Sequence, residues 1–167
     1  MSARETIYLA GGCFWGMQKY FDQFEGVLKT EVGYANGPDR VPSYREVCAD
    51  SGHAETLRIE YDPEKIPFRQ LLDDYFLVID PLSVNRQGHD EGIQYRTGIY
   101  YTNEAQKADA LACAAALEEQ LGEKLAVEIL PLANFFPAEE YHQKYLDKNP
   151  GGYCHIPESF FAREKKA

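Results

Sequence analysis

Cys13, in the run GGCFWG, has the surroundings best suited to nucleophilic chemistry in this sequence. It follows Gly11 and Gly12, which let the backbone turn tightly, and it precedes a segment with helical periodicity. A helix N-terminus directs free N–H groups and its positive dipole end at a thiol placed there. Such a position lowers the thiol pKa and favours the nucleophilic thiolate. We therefore predict a reactive, reachable cysteine; the alternative is a packing cysteine beside a glycine turn.

Two large aromatic residues, Phe14 and Trp15, come directly after Cys13. Aromatic rings accommodate an S-methyl group well, so the pair can form an apolar wall beside the nucleophile. Phe14 also fits the apolar stripe of the predicted helix, where core packing is the alternative. Trp15 is the chain's single tryptophan and lies off that stripe, which favours a surface pocket.

Glu55 is a candidate general acid because of its place in the predicted strand ETLRIEYD. Strand alternation puts its side chain on the same face as Leu57 and Ile59, which are expected to be buried. Burial raises a carboxyl pKa, as a general acid near neutral pH requires. The alternative, that Glu55 lies at the strand end and reaches solvent, stays open on sequence parity alone.

Tyr44, Asp90 and Tyr95 lie in or beside irregular segments that carry proline, glycine and asparagine. Loops on a rigid scaffold are where catalytic groups concentrate. Two phenols and a carboxyl can together hydrogen-bond a polar oxygen of a substrate. Since the chain has 12 tyrosines, each of these residues taken singly also fits a structural role.

The remaining cysteines, Cys48, Cys113 and Cys154, are far apart in the sequence and form no CxxC pair. Cys48 and Cys113 are interpreted as small buried hydrophobes, with Cys113 in helical phase with Leu117. Cys154 follows two glycines in GGYC. A mobile thiol there can reach a cysteine oxidised to sulfenic acid and close a disulfide; the alternative is a free tail thiol.

The hydrophobic pattern predicts short strands and helices in an order that mixes hairpins with crossovers. This order favours a single α+β domain over residues 1–167, a two-layer sandwich with a mixed sheet, a ferredoxin-like βαββαβ core and an irregular C-terminal tail. The predicted strands are 6–10, 27–35, 55–62, 97–101 and about 125–130, and the predicted helices are 14–24, 68–79 (opened by Pro67), 103–121 and 137–147.

The composition restricts the partners of the chain. With 17 Lys+Arg against 27 Asp+Glu, the net charge is −10, which disfavours nucleic acid and anionic lipid surfaces. No apolar stretch approaches the roughly 20 residues of a membrane span, and the N-terminus lacks the apolar segment of a secretory signal. We therefore expect a cytoplasmic protein with no nucleic-acid or membrane partner. We also expect a monomer.

The run GGCFWG resembles the signature of the A-type peptide-methionine sulfoxide reductases, which act on the S epimer of the sulfoxide. Further segments resemble the family's motifs in the family's order, so that the resemblance covers nearly the whole chain. They are GYANG (33–37), PSYREVC (42–48), GHAE (52–55), YDP (61–63), NRQG (85–88), QYR (94–96), AEEYHQKYL (138–146) and KNPGGYC (148–154). The resemblance implies repair of methionine sulfoxide, free or in proteins.

The resemblance also implies roles for the residues around the nucleophile. Cys13 would attack the sulfoxide sulfur, and Glu55 would protonate its oxygen. Tyr44 and Tyr95 would assist that protonation, and Asp90 would belong to the same polar network.

The same resemblance implies a route for substrate binding and for regeneration. Phe14 and Trp15 would enclose the methyl group. Cys13 would remain as a sulfenic acid, which Cys154 resolves as a Cys13–Cys154 disulfide that thioredoxin reduces. The family pattern implies neither a cofactor nor a metal.

Three departures from the family pattern stand out. Ile79 precedes Asp80-Pro81, where the family commonly has histidine, and Ser43 replaces the usual threonine before tyrosine. Many relatives carry a second recycling cysteine after the GYC motif, and this tail has none beyond Cys154. The expectation is a two-cysteine relay, so recycling is the step that the departures affect.

Alternative functions are a cysteine hydrolase or a module that binds oxidised methionine without reducing it. A hydrolase would pair Cys13 with His53 or His142, whereas a binding module would not need the Cys13 and Glu55 that this chain retains. A zinc site is a third alternative, although the spacings match no zinc pattern; its ligands would be Cys13, Cys48, Cys154 and His155.

Overall fold

The computed structural model describes residues 4–49, 51–87, 90–149 and 156, and has a mixed α+β fold built on a six-stranded sheet. The strands are β1 (Glu5–Gly11), β2 (Val27–Ala35), β3 (Ala54–Tyr61), β4 (Arg86–Gln87), β5 (Asp90–Glu91), β6 (Thr97–Tyr101), β7 (Glu128–Pro131) and β8 (Phe135–Pro137). The α-helices are α1 (Phe14–Phe21), α2 (Tyr44–Cys48), α3 (Phe68–Leu77), α4 (Glu104–Leu121) and α5 (Tyr145–Lys148), and 3-10 turns span Ile93–Tyr95 and Glu140–His142.

The main sheet has the strand order β7-β6-β1-β3-β2-β8, and β4 pairs with β5 in a separate ladder. All pairs in the main sheet are antiparallel except β6 with β7. That parallel pair is joined by α4, as a parallel connection requires a crossover. The described helices include none that is long and apolar enough to cross a membrane.

The centre of the core lies between the β1–β3 pair and the helices α1 and α3. Ile7 pairs with Ile59 and Leu9 with Leu57, and all four side chains are fully buried. The buried Tyr75 links α3 to β1, because its hydroxyl donates to the Ala10 carbonyl at 2.6 Å. These contacts fix β1 and α1, whose junction carries Cys13.

The strands predicted at 27–35 and 97–101 have those bounds, and the other predicted strands shift by a few residues. The predicted helix 14–24 ends at Phe21. The predicted helix 137–147 is wrong as one unit, because Lys144, with φ at 57°, separates the 3-10 turn from α5. The sequence pattern missed α2, although Ser43 and Glu46 form a capping box there.

Candidate active site

The turn between β1 and α1 places Cys13 at the N-cap of the helix. Gly12 has φ at 86°, a conformation that side chains other than glycine rarely adopt. A Cβ on Gly11 would lie 2.8 Å from Met17 Sδ and 2.9 Å from the side chain of Ile79. Ile79 therefore packs behind the turn, and Cys13, only 6 % exposed, is held at the helix start.

Glu55 lies on β3 with its side chain on the buried face, 1 % exposed, which confirms the parity prediction. The Phe14 N–H donates to Glu55 Oε1 at 3.3 Å. Burial raises the pKa of Glu55 to about 8; the Phe14 N–H opposes this rise and the charge of Asp90 adds to it. Glu55 Oε2 is also buried and has no hydrogen-bond partner among the described residues.

This arrangement determines where the Glu55 proton sits. Near neutral pH a carboxyl with a pKa of about 8 is mostly protonated. Since Oε1 already accepts the Phe14 N–H, the proton belongs on Oε2. The site therefore offers a neutral O–H donor with no acceptor of its own among the described residues.

Tyr44, at the start of α2, and Tyr95, at the end of a 3-10 turn, both lie within electrostatic reach of Glu55. The pKa of each phenol is raised, chiefly by burial and next by the charge of Glu55. Asp90 and Cys13 raise the pKa of Tyr95 further. Both phenols therefore stay protonated near neutral pH. Since these groups affect one another's pKa, the structure brings the five predicted polar residues into one electrostatic cluster, namely Cys13, Tyr44, Glu55, Asp90 and Tyr95.

Phe14 and Trp15 contribute the aromatic side of the site. The buried ring of Phe14 packs against Tyr34 and against His142, at centroid distances of 5.7 and 5.3 Å. The half-buried Trp15 stacks on Tyr145 with 3.8 Å between centroids, and its Nε1–H donates to His142 Nδ1 at 2.9 Å.

Sequence reasoning missed the contribution of residues 139–145 to the site. Glu139 accepts the Tyr34 hydroxyl at 2.8 Å and the Tyr44 backbone N–H at 2.9 Å. The ring of His142 lies 4.4 Å from that of Tyr44. The signal was available in the run AEEYHQKYL, but the prediction of one continuous helix over 137–147 did not indicate which side chains turn inward.

The interpretation of Cys48 as a buried hydrophobe is wrong. The residue is exposed, since the short α2 buries only Val47. Cys113 is half-buried and packs against the core, as predicted. The prediction for Cys154 lies outside the described residues.

Of the two described histidines, His53 has both ring nitrogens in hydrogen bonds, whereas His142 has only Nδ1 so engaged among the described residues. The Nδ1 of His53 hydrogen-bonds the Ser51 hydroxyl and its Nε2 hydrogen-bonds the Pro38 carbonyl, each at 2.9 Å, so neither nitrogen is available as a base for Cys13.

Within residues 4–49, 51–87 and 90–149, no group of three or more His, Cys, Asp or Glu has the arrangement of a metal site.

A cysteine at a helix start, a protonated carboxyl beside it and an aromatic wall are typical of an α+β enzyme that works through a thiol. The family model described as peptide methionine sulfoxide reductase matches residues 5–167. The chain belongs to the peptide methionine sulfoxide reductase family, and it is an oxidoreductase that reduces methionine sulfoxide.

Curated proteins and solved structures are similar to the chain over most of its length. A peptide methionine sulfoxide reductase MsrA from Clostridium acetobutylicum is 53 % identical over 95 % of this chain and 99 % of its own. Mxr1 from Saccharomyces cerevisiae in reduced form has a TM-score of 0.87 at 38 % identity, with 92 % and 91 % of the two chains covered. Mxr1 in complex with Trx2 has a TM-score of 0.61 at 26 % identity, with 85 % and 84 % covered.

Proposed function

We propose that the chain reduces the S epimer of methionine sulfoxide by attack of the Cys13 thiolate on sulfur, with Glu55 as the acid. The observation that carries this proposal is the buried Oε2 of Glu55, which has no partner among the described residues. A protonated Oε2 donates to an acceptor placed between β3 and the start of α1. The oxygen of a sulfoxide is a strong acceptor that carries no proton of its own.

The reaction balances with these groups. Cys13 sulfur forms a bond to the sulfoxide sulfur while Glu55 Oε2 gives its proton to the oxygen, with the hydroxyls of Tyr44 and Tyr95 donating to it. The S–S bond and the S–O bond of this adduct then break as the hydroxyl passes to the Cys13 sulfur, which releases the thioether and leaves Cys13 as a sulfenic acid and Glu55 as a carboxylate. Cys13 gains the oxygen and is oxidised by two electrons, and methionine is reduced by two. Asp90 supports the step by raising the pKa of Glu55.

Selectivity for one epimer follows if each of the three substituents on the sulfoxide sulfur has a separate place in the site. The oxygen must meet Glu55, and the methyl group must lie against Phe14 and Trp15. The third substituent, the methionine side chain, is left to extend toward solvent. Only one configuration then presents the sulfur to Cys13, and the family resemblance supports S as that configuration.

Regeneration would proceed through Cys154. Its thiol attacks the sulfenic sulfur of Cys13, water leaves, and a Cys13–Cys154 disulfide forms. Thioredoxin would then reduce that disulfide by thiol exchange, which the Mxr1–Trx2 complex supports for this chain. The substrate would be methionine sulfoxide, free or in oxidised proteins.

The proposal extends to the context of the enzyme. We propose one catalytic domain over residues 1–167, acting as a cytoplasmic monomer. We also propose that it has no nucleic-acid or membrane partner, and the net charge of −10 supports this last point. We also propose a ferredoxin-like core. The order β6-β1-β3-β2 with antiparallel pairing supports it.

Mass spectrometry tests the chemistry. After incubation with S-methionine sulfoxide and no reductant, the chain should carry a Cys13–Cys154 disulfide, and one equivalent of methionine should be released. The R epimer should give neither product, which provides the control. Release of methionine with a disulfide elsewhere would reject Cys154, whereas an unmodified Cys13 would reject the nucleophile itself.

A further inference from the structure

His142 is buried to 1 % exposure and uses its two ring nitrogens unequally. Nδ1 accepts the Nε1–H of Trp15 at 2.9 Å, whereas Nε2 is buried and has no partner among the described residues. The other buried histidine that the structure describes, His53, engages both nitrogens.

The bond to Trp15 determines the tautomer of His142. An indole nitrogen only donates, so Nδ1 must be the acceptor and the neutral ring carries its proton on Nε2. A buried donor without a partner destabilises a fold. A phenylalanine would fill the same space without that cost. Packing alone therefore does not account for a histidine at position 142.

We propose that His142 is a positioning residue that fixes the indole of Trp15 in the orientation in which it receives the substrate methyl group. Two contacts hold the ring: Tyr145 stacks on its face at 3.8 Å, and His142 accepts its N–H. Stacking alone permits the indole to rotate in its own plane. The directional hydrogen bond removes that freedom. The inference rests on the proposed role of Trp15 as part of the methyl wall.

Protonation of His142 should release Trp15, because an imidazolium has no acceptor nitrogen. Burial lowers the pKa of His142 from 6.5, and the charge of Glu139 opposes this. The loss of the Trp15 contact is therefore expected as the pH falls below the ordinary range of a histidine. Among the described residues, the other titratable groups whose rings contact that of His142 are Tyr44 and Tyr141.

Two substitutions separate positioning from packing. His142→Phe keeps a ring and removes the acceptor, whereas His142→Asn loses the ring and places an amide oxygen near the position of Nδ1. The single tryptophan gives one indole ¹⁵N–¹H resonance. We expect His142→Asn to keep its hydrogen-bonded shift and His142→Phe to lose it. A packing role predicts that Phe is the milder change, so wild-type-like behaviour of His142→Phe would overturn the proposal.

Single-turnover kinetics report the effect on substrate. Loss of one neutral hydrogen bond should raise the apparent Kd for the sulfoxide about five-fold in His142→Phe. The limiting rate should stay unchanged, since a wall binds the ground state and the transition state alike. An unchanged Kd, or a fall confined to the limiting rate, contradicts the inference.

A pH series and two control variants complete the test. Trp15 emission and substrate affinity in the wild type should change together with a midpoint below 6.5, and the change should vanish in His142→Asn. His53→Asn should keep the wild-type transition; its loss there would overturn the assignment to His142. If Trp15→Leu binds sulfoxide normally while His142→Phe still loses the indole shift, the proposed methyl wall is wrong and the hydrogen bond stands.

Discussion

Glu55→Gln should stabilise the fold while it slows the reduction of sulfoxide. The unfolded carboxyl ionises near pH 4.5, and the folded one near pH 8. Between these values the unfolded state releases its proton and the folded state keeps it, so stability falls as pH rises through this window. Glutamine stays neutral and still offers an oxygen to the Phe14 N–H, so it should escape this loss.

The expected magnitude follows from the two pKa values. At 1.36 kcal/mol per pKa unit, the carboxyl costs the folded state about 3 kcal/mol at about pH 7 and about 5 kcal/mol above about pH 9. The stability difference between Glu55→Gln and wild type should therefore be near zero at about pH 4 and grow with pH. Urea unfolding followed by the emission of Trp15 measures this difference.

A matched control lies on the same strand. Glu60 pairs with Arg58 at 2.9 Å and with Arg4 at 3.4 Å, and its pKa is lowered by these cations although partial burial opposes the shift. The contribution of Glu60 is present above its unfolded pKa and is lost as pH falls through its lower folded pKa, so Glu60→Gln should destabilise near neutral pH. A stability gap for Glu55→Gln that stays constant from about pH 5 to about pH 8 would refute the buried, protonated acid.

Further predictions concern activity. Cys13→Ser should abolish methionine release with dithiothreitol, whereas Cys154→Ala should keep one stoichiometric turnover and lose thioredoxin-driven cycling; normal cycling would reject Cys154 as the resolving thiol. Tyr44→Phe and Tyr95→Phe should each slow the single-turnover rate by about ten-fold, as loss of a donor to a developing charge does, and an unchanged rate would remove that residue from the reaction. The wild-type single-turnover rate should fall above about pH 8 as Glu55 ionises, and in Glu55→Gln any remaining rate should lack that fall.

The sequence predicted most of the site because its signals are local. Two glycines before Cys13 indicate a turn, and strand parity places Glu55 inward. The burial of Glu55 was undecided at the sequence level, since a strand end can face either solvent or a neighbour. In the structure Glu55 is 1 % exposed, and its neighbour is the Phe14 N–H, which lies 41 residues away in the sequence.

The parts that sequence reasoning missed depend on contacts distant in the chain. His142 lies 127 residues from Trp15, and the sequence pattern around it predicts only one helix over 137–147. Cys48 was interpreted as a packing residue from the general preference of unpaired cysteines for burial, without the helix α2 that exposes it. The Ser43–Glu46 capping box would have revealed that helix, but its exposed face appears only when the tertiary neighbours are known.

The N-terminus of α1 connects the nucleophile to the acid, since Cys13 is its N-cap and the next residue, Phe14, contacts Glu55. A helix leaves its first N–H groups without intrahelical partners, and here the Phe14 N–H goes to Glu55 rather than to a charged ligand. That contact favours the ionised carboxyl, yet burial outweighs it, and the pKa still rises to about 8. Among the described residues no lysine or arginine contributes to this shift; such a cation beside Oε2 would lower the pKa and remove the proton. Neutral donors around a buried acid suit a substrate that is polar and uncharged, as a sulfoxide is.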